Sequence, residues 1–114
     1  MFSRPMRLSR EAIASISGDP AAKRATSEHF SVVFSTNDRA AASGCAVVVS
    51  KKISKTSVRR HLLKRRIRAA LKEWCSRDYV LIVYARAGSS SLPYSAIAEE
   101  LSRLLPRAGA YRTM

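Results

Sequence analysis

Acidic residues are scarce in this chain. Eight Asp and Glu stand against 21 Lys and Arg among 114 residues, a formal net charge of +13. No acid occurs between Asp38 and Glu73. A compact body so charged repels itself, and the excess points to an anionic partner: nucleic acid, an anionic membrane surface or an acidic protein. Long apolar runs are missing too, since none approaches the roughly 18 residues that span a bilayer. The basic start, Met1 to Arg10, has no apolar segment behind it, so no secretory signal is expected. Cysteine is limited to Cys45 and Cys75. They lack metal-ligand spacing and are expected as two reduced thiols in a cytoplasm. Glycine numbers four, with no phosphate-cradling loop among them. Carboxylates are scattered singly at Glu11, Asp19, Glu28, Asp38, Glu73 and Asp78, so the acidic cluster of a two-metal nuclease is missing. Glu99-Glu100 falls on an amphipathic helix, where salt bridging or solvation is the expected role. His29 reads as a surface residue at a strand start. Ser89-Ser90-Ser91 has no neighbouring His and reads as a flexible turn. No catalytic residue, protein-bound metal or small-molecule substrate is therefore expected.

What the chain does have is an ordinary apolar share, 46%, enough for one domain over residues 1–114. Its basic ends, 1–8 and 107–114, are expected to be flexible. Ser9 is placed to cap a short helix carrying Ile13 and Ile16, which Gly18-Asp19-Pro20 stops. Residues 19–28 read as a loop. His29 to Phe34 reads as a strand with Phe30, Val32 and Phe34 on one face. Cys45 to Ser50 is apolar on both faces and reads as a central strand. Asp78 to Arg86 is the strongest strand. Pro93 or Tyr94 opens a last helix with Ile97, Leu101, Leu104 and Leu105 on one face, and Pro106 closes it.

Between the second and third strands, ten Lys and Arg fall between Lys51 and Lys72. Ser54, Thr56 or Ser57 can cap a helix there of about five turns. At 100° per residue, Leu63, Ile67, Ala70, Leu71 and Trp74 share one arc, the width of a core-facing stripe. His61, Lys64, Arg65, Arg68 and Lys72 share the opposite arc. Arg59 and Arg66 flank the apolar side, and Arg60 projects close to it in the first turn. Like charges at this spacing cost a few tenths of a kcal/mol per pair. Phosphates would turn that cost into counterion release and charge-assisted hydrogen bonds. A solvated basic face and a membrane-surface helix are the competing readings. The second needs an apolar face free to enter lipid, and the Leu63/Ile67/Leu71/Trp74 face is more simply spent on a sheet.

The run Val49-Ser50-Lys51-Lys52-Ile53-Ser54-Lys55, the run Lys64-Arg65-Arg66-Ile67-Arg68, and Ala85-Arg86-Ala87-Gly88 after the last strand together resemble the bacterial ribonuclease P protein component over roughly residues 6–108. The family signature is Arg-Asn-Arg ahead of a Lys-Arg pair. Aligned on Lys64-Arg65, Arg60 stands at the first Arg, His61 at the Asn and Leu62 at the second Arg. Arg59 and Arg66 are candidates to supply the lost charge. The resemblance implies an α+β fold, a mixed sheet of about four strands with helices packed on it, like the second domain of a ribosomal small-subunit protein, with a left-handed βαβ crossover. It implies a cytoplasmic protein cofactor of a catalytic RNA, the ribonuclease P RNA, which holds Mg2+ and matures the 5′ end of precursor tRNA. Membrane and small-molecule partners are not implied. Lys51, Lys52, Lys55, Arg59, Arg60, His61, Lys64, Arg65, Arg68 and Lys72 are the expected RNA contacts. Ile13, Ile16, Phe30 and Val33 are the candidates for a cleft that takes the 5′ leader, with core as the competing role for Phe30. A ribosomal or other structural RNA-binding protein is the alternative, and a stand-alone nuclease would need a carboxylate site that the sequence does not offer.

Overall fold

Four short segments form one mixed sheet. The computed structural model describes residues 13, 18, 22–35, 44–75 and 79–110. In chain order the elements are β1 (Lys23–Thr26), β2 (Phe30–Ser35), β3 (Gly44–Val48), α1 (Ser57–Leu71), β4 (Val80–Ala85) and α2 (Tyr94–Ala108). The sheet order is β1-β2-β4-β3. β1 pairs antiparallel with β2, β2 antiparallel with β4, and β3 parallel with β4. The basic helix α1 is thus the crossover between two parallel neighbours. The sheet is mixed and the architecture α+β, as the family resemblance implied.

Register assigns the two faces. Phe30, Val32 and Phe34 lie level with Ala85, Val83 and Leu81, and the last two with Val47 and Cys45. These join Leu63, Ile67 and Leu71 of α1 and Ile97, Leu101, Leu104 and Leu105 of α2 in the main core. Tyr79 is buried there, its ring 4.8 Å from that of Phe34, and its hydroxyl donates to the Trp74 carbonyl. The opposite face carries Val33, Val80 and Ile82, with Ile13, Ala46, Val48 and Tyr84 packed half-buried against them. Ile13 sits in helical backbone. Its neighbour in the expected first helix, Ile16, lies outside the described residues, as do the basic arm 1–8 and the last residues 111–114.

Several expectations need correcting. Residues 23–26, read as loop, form β1. Only Ala25 points into the core from this short polar edge strand, too few apolar residues to show a period. β3, read as central, lies at the edge, and β4 is central. β3 is apolar on both sides because Cys45 and Val47 join the main core while Ala46 and Val48 pack half-buried against the smaller cluster on the other side. Cys45 and Cys75 are not free thiols but a disulfide, with Cα atoms 5.7 Å apart. β3 turns Cys45 towards the helix side, and the chain leaving α1 brings Cys75 back over it. A contact across 30 residues has no local signature. The basic helix spans 15 residues, nearer four turns than five, and Trp74 is buried in the turn beyond it. α2 runs past Pro106 to Ala108, so Arg107 and Ala108 are helical rather than part of a frayed tail. Gly109, at φ 106°, ends the helix: its N–H bonds the Pro106 carbonyl, and that of Ala110 bonds the Leu105 carbonyl. Nor is the serine run loose. It forms a 3-10 turn in which Ser89 is fully buried, its hydroxyl donating to the Arg86 carbonyl at 2.7 Å.

Candidate nucleic-acid interface

The site begins at the cap of α1. Thr56, in extended backbone, accepts from the Arg59 N–H at 3.3 Å, and its carbonyl accepts from the Arg60 N–H at 3.1 Å. The first turn of α1 holds no acid, so the partial positive charge of the helix N-terminus adds to the side-chain cations instead of being neutralised. Leu63, Ile67 and Leu71 anchor the other side of the helix in the core. That anchoring presents Arg59, His61, Arg65 and Lys72 to solvent, with Lys64 and Arg68 partly exposed at the edge. Lys51 and Lys52, in the turn held by the Ile53 N–H on the Ser50 carbonyl at 3.1 Å, and Lys55 are exposed just ahead of the cap. The ion pairs made by Glu28, Glu99 and Glu100 all lie at the β1–β2 turn and on α2.

Two arginines are otherwise occupied. Arg60 turns back to donate to the Ser54 and Lys55 carbonyls at 3.0 and 3.1 Å. It braces the entry to α1, and those donors are spent within the protein. Arg66 donates to the Leu92 carbonyl at 3.2 Å and ties α1 to the segment ahead of α2. Of the two flanking candidates to replace the charge missing at Leu62, Arg59 is therefore the exposed one.

The leader-cleft candidates separate by face. Ile13 and Val33 meet on the sheet face opposite α1 and α2, but Val33 is buried beneath it and only Ile13 keeps surface there. Phe30 is fully buried on the helix side, so it has no surface to offer a nucleotide. Sequence reasoning missed the aromatic residue that shares the face with Val33. Tyr84, half-buried, stands level with Ser31 and Val48, and the alternation in Val80–Ala85 carried that information. Arg24, exposed on β1, stands level with Val33 and lends the face a cation.

His29 is not the surface residue expected. Its backbone N–H and ring Nδ1 meet the two carboxylate oxygens of Glu100 at 2.8 and 2.7 Å, and the Ser27 hydroxyl also donates to that carboxylate. Burial pushes the Glu100 carboxyl up, but the hydrogen bonds from Ser27 and His29, with the charge of His29, outweigh it and hold the group below its ordinary value. The groove beside this cluster is lined by Glu28, Glu99 and Glu100 together with Arg103 and Arg107, a mixed lining unlike the cationic face of α1.

Among the described residues no helix is long and apolar enough to cross a membrane, and no group of three or more His, Cys, Asp or Glu could hold a metal ion. Fold and site together define a small basic RNA-binding protein. The Ribonuclease P family model matches residues 4–109, and the chain belongs to that family. It is accordingly the protein subunit of a ribonucleoprotein endoribonuclease, and the reading as a ribosomal protein is set aside. In solved structures the fold recurs in the RNase P protein of Staphylococcus aureus, with a TM-score of 0.75 at 21% identity over 90% of this chain and 94% of that one. It recurs again in the RNase P protein of Thermotoga maritima, with a TM-score of 0.70 at 24% identity over 85% and 92%. No curated protein sequence matches the chain.

Proposed function

We propose that this subunit grips the ribonuclease P RNA with the outer face of α1 and the lysines ahead of it, and that the opposite sheet face receives the 5′ leader of precursor tRNA. One observation carries the reading: α1 is anchored in the core by Leu63, Ile67 and Leu71 while Arg59, His61, Arg65 and Lys72 face solvent. Two polyanions must meet for cleavage, and a +13 protein between them lowers their repulsion and the magnesium needed to screen it. Phosphates on this face release counterions, and the arginine forks add directed hydrogen bonds.

The second surface is supported by half-buried Ile13 and Tyr84, packed over buried Val33, with Arg24 at the margin. An aromatic ring and a cation suit unpaired nucleotides without demanding a sequence. Magnesium belongs with the RNA in this scheme. The donor set supports that division, because Glu100 is committed to Ser27 and His29 and Glu99 pairs with Arg103. The protein's own work is to position and to screen charge, in the cytoplasm where precursor tRNA is made.

The test mixes the purified chain with a bacterial ribonuclease P RNA and precursor tRNA at low magnesium. The expected result is 5′ cleavage stimulated by the protein and dependent on the RNA. Cleavage by the protein alone, or no stimulation at any protein concentration, overturns the proposal.

A further inference from the structure

Three large apolar side chains are exposed among the described residues: Val58 at 77%, Leu62 at 45% and Tyr94 at 48%. Two of them lie one turn apart on α1, at the centre of the face argued above to meet RNA. At 100° per residue, Val58, Leu62 and the exposed Ala69 fall within about 40° of one another, in a strip about 16 Å long. His61, Arg65, Arg68 and Lys72 run along one side of it, and on the other stand exposed Arg59 and the root of Arg66, whose tip is tied to the Leu92 carbonyl. The outward side of the helix thus carries an apolar strip beside Arg65, with cations on both flanks.

Single exposed aliphatic residues need no explanation. This pair sits where a plain phosphate grip would place its best-directed charge, and Leu62 stands where the family signature has its second Arg. Charge complementarity selects the occupant. It must present apolar surface between two lines of negative charge, as the bases and riboses of an unpaired RNA segment do between phosphates. A lipid surface would call for bulkier apolar residues than one valine and one leucine.

We propose that Val58 and Leu62 form an apolar seat that packs against bases or riboses of unpaired nucleotides in the catalytic RNA, making part of the affinity independent of salt. The inference rests on the function proposed above and adds to it the kind of RNA surface that α1 meets.

The experiment measures the dissociation constant for a bacterial ribonuclease P RNA across a potassium chloride series. The proteins compared are wild type, Val58→Gln/Leu62→Gln and Leu62→Arg, with circular dichroism confirming equal helix content. The double variant is expected to bind about tenfold more weakly at every salt concentration, with an unchanged log–log slope. Leu62→Arg is expected to steepen the slope by about one, as one added phosphate contact does. A double variant that binds as wild type does throughout overturns the apolar seat. So does one whose only loss is in binding to anionic vesicles or in self-association by sedimentation. Should the wild type itself prefer the catalytic RNA no more than an unrelated RNA of equal length, the function proposed above falls, and the seat with it.

Discussion

At the scale of single residues, Glu100 has the most to hold. Its carboxylate accepts from Ser27 and from two donors of His29, which clamps the β1–β2 turn onto α2. The two side chains of the His29–Glu100 pair are each only about one-fifth exposed, at 20% and 21%. Because the carboxyl is held below its ordinary value in the folded chain, its contribution is present above that ordinary value and is lost as pH falls through the folded one. Glu100→Gln should lower stability by about 1–3 kcal/mol near neutrality, the usual loss for charge-assisted hydrogen bonds. Urea denaturation across pH should then find the gap between wild type and variant closing at acid pH. A gap of constant size from neutral to acid would mean that the charge of Glu100 does not matter.

At the scale of elements, the disulfide decides how firmly α1 is held. Cys45 on β3 and Cys75 beyond α1 close a loop of 30 residues in sequence, and cross-linking a loop of that length removes about 3–4 kcal/mol of unfolded-state entropy. The urea midpoint of the oxidised chain should therefore exceed that of the chain treated with a dithiol reductant. Equal midpoints would remove the bond from any part in stability. Both sulfurs lie in residues that are buried, so a reductant reaches them only when β3 or the turn after α1 opens. α1 itself was legible from sequence, because Leu63, Ile67 and Leu71 recur at helical spacing opposite His61, Lys64, Arg65 and Arg68. The faces of β2 were legible from the alternation of Phe30, Val32 and Phe34. β1 was not, because an edge strand of four residues needs one inward side chain and borrows its order from β2 through backbone hydrogen bonds. The length of α2 past Pro106 was hidden for a different reason: what stops the helix is the left-handed Gly109 and its two backbone bonds. The turns of Arg60 and Arg66 towards backbone carbonyls were hidden as well, since helical angle alone places a guanidinium's root and not its tip.

At the scale of the whole molecule, the net charge of +13 matters through its placement. α1 buries Leu63, Ile67 and Leu71 and carries its cations on the outside, on either side of Val58 and Leu62, so RNA affinity should fall steeply with salt. Arg65→Ala/Lys72→Ala removes two exposed cations and should flatten the log–log salt slope by about two, with stability unchanged. A filter-binding series that finds the wild-type slope intact would place the phosphates elsewhere. The crossover has one more consequence. The bond between Cys45 and Cys75 makes residues 45–75 a covalent ring, and most of the basic segment rides on it. A protease that nicks the exposed Lys51–Lys52 turn opens the ring without parting the chain. The nicked protein should migrate as a single species on a denaturing gel until reductant is added, and only then as two pieces.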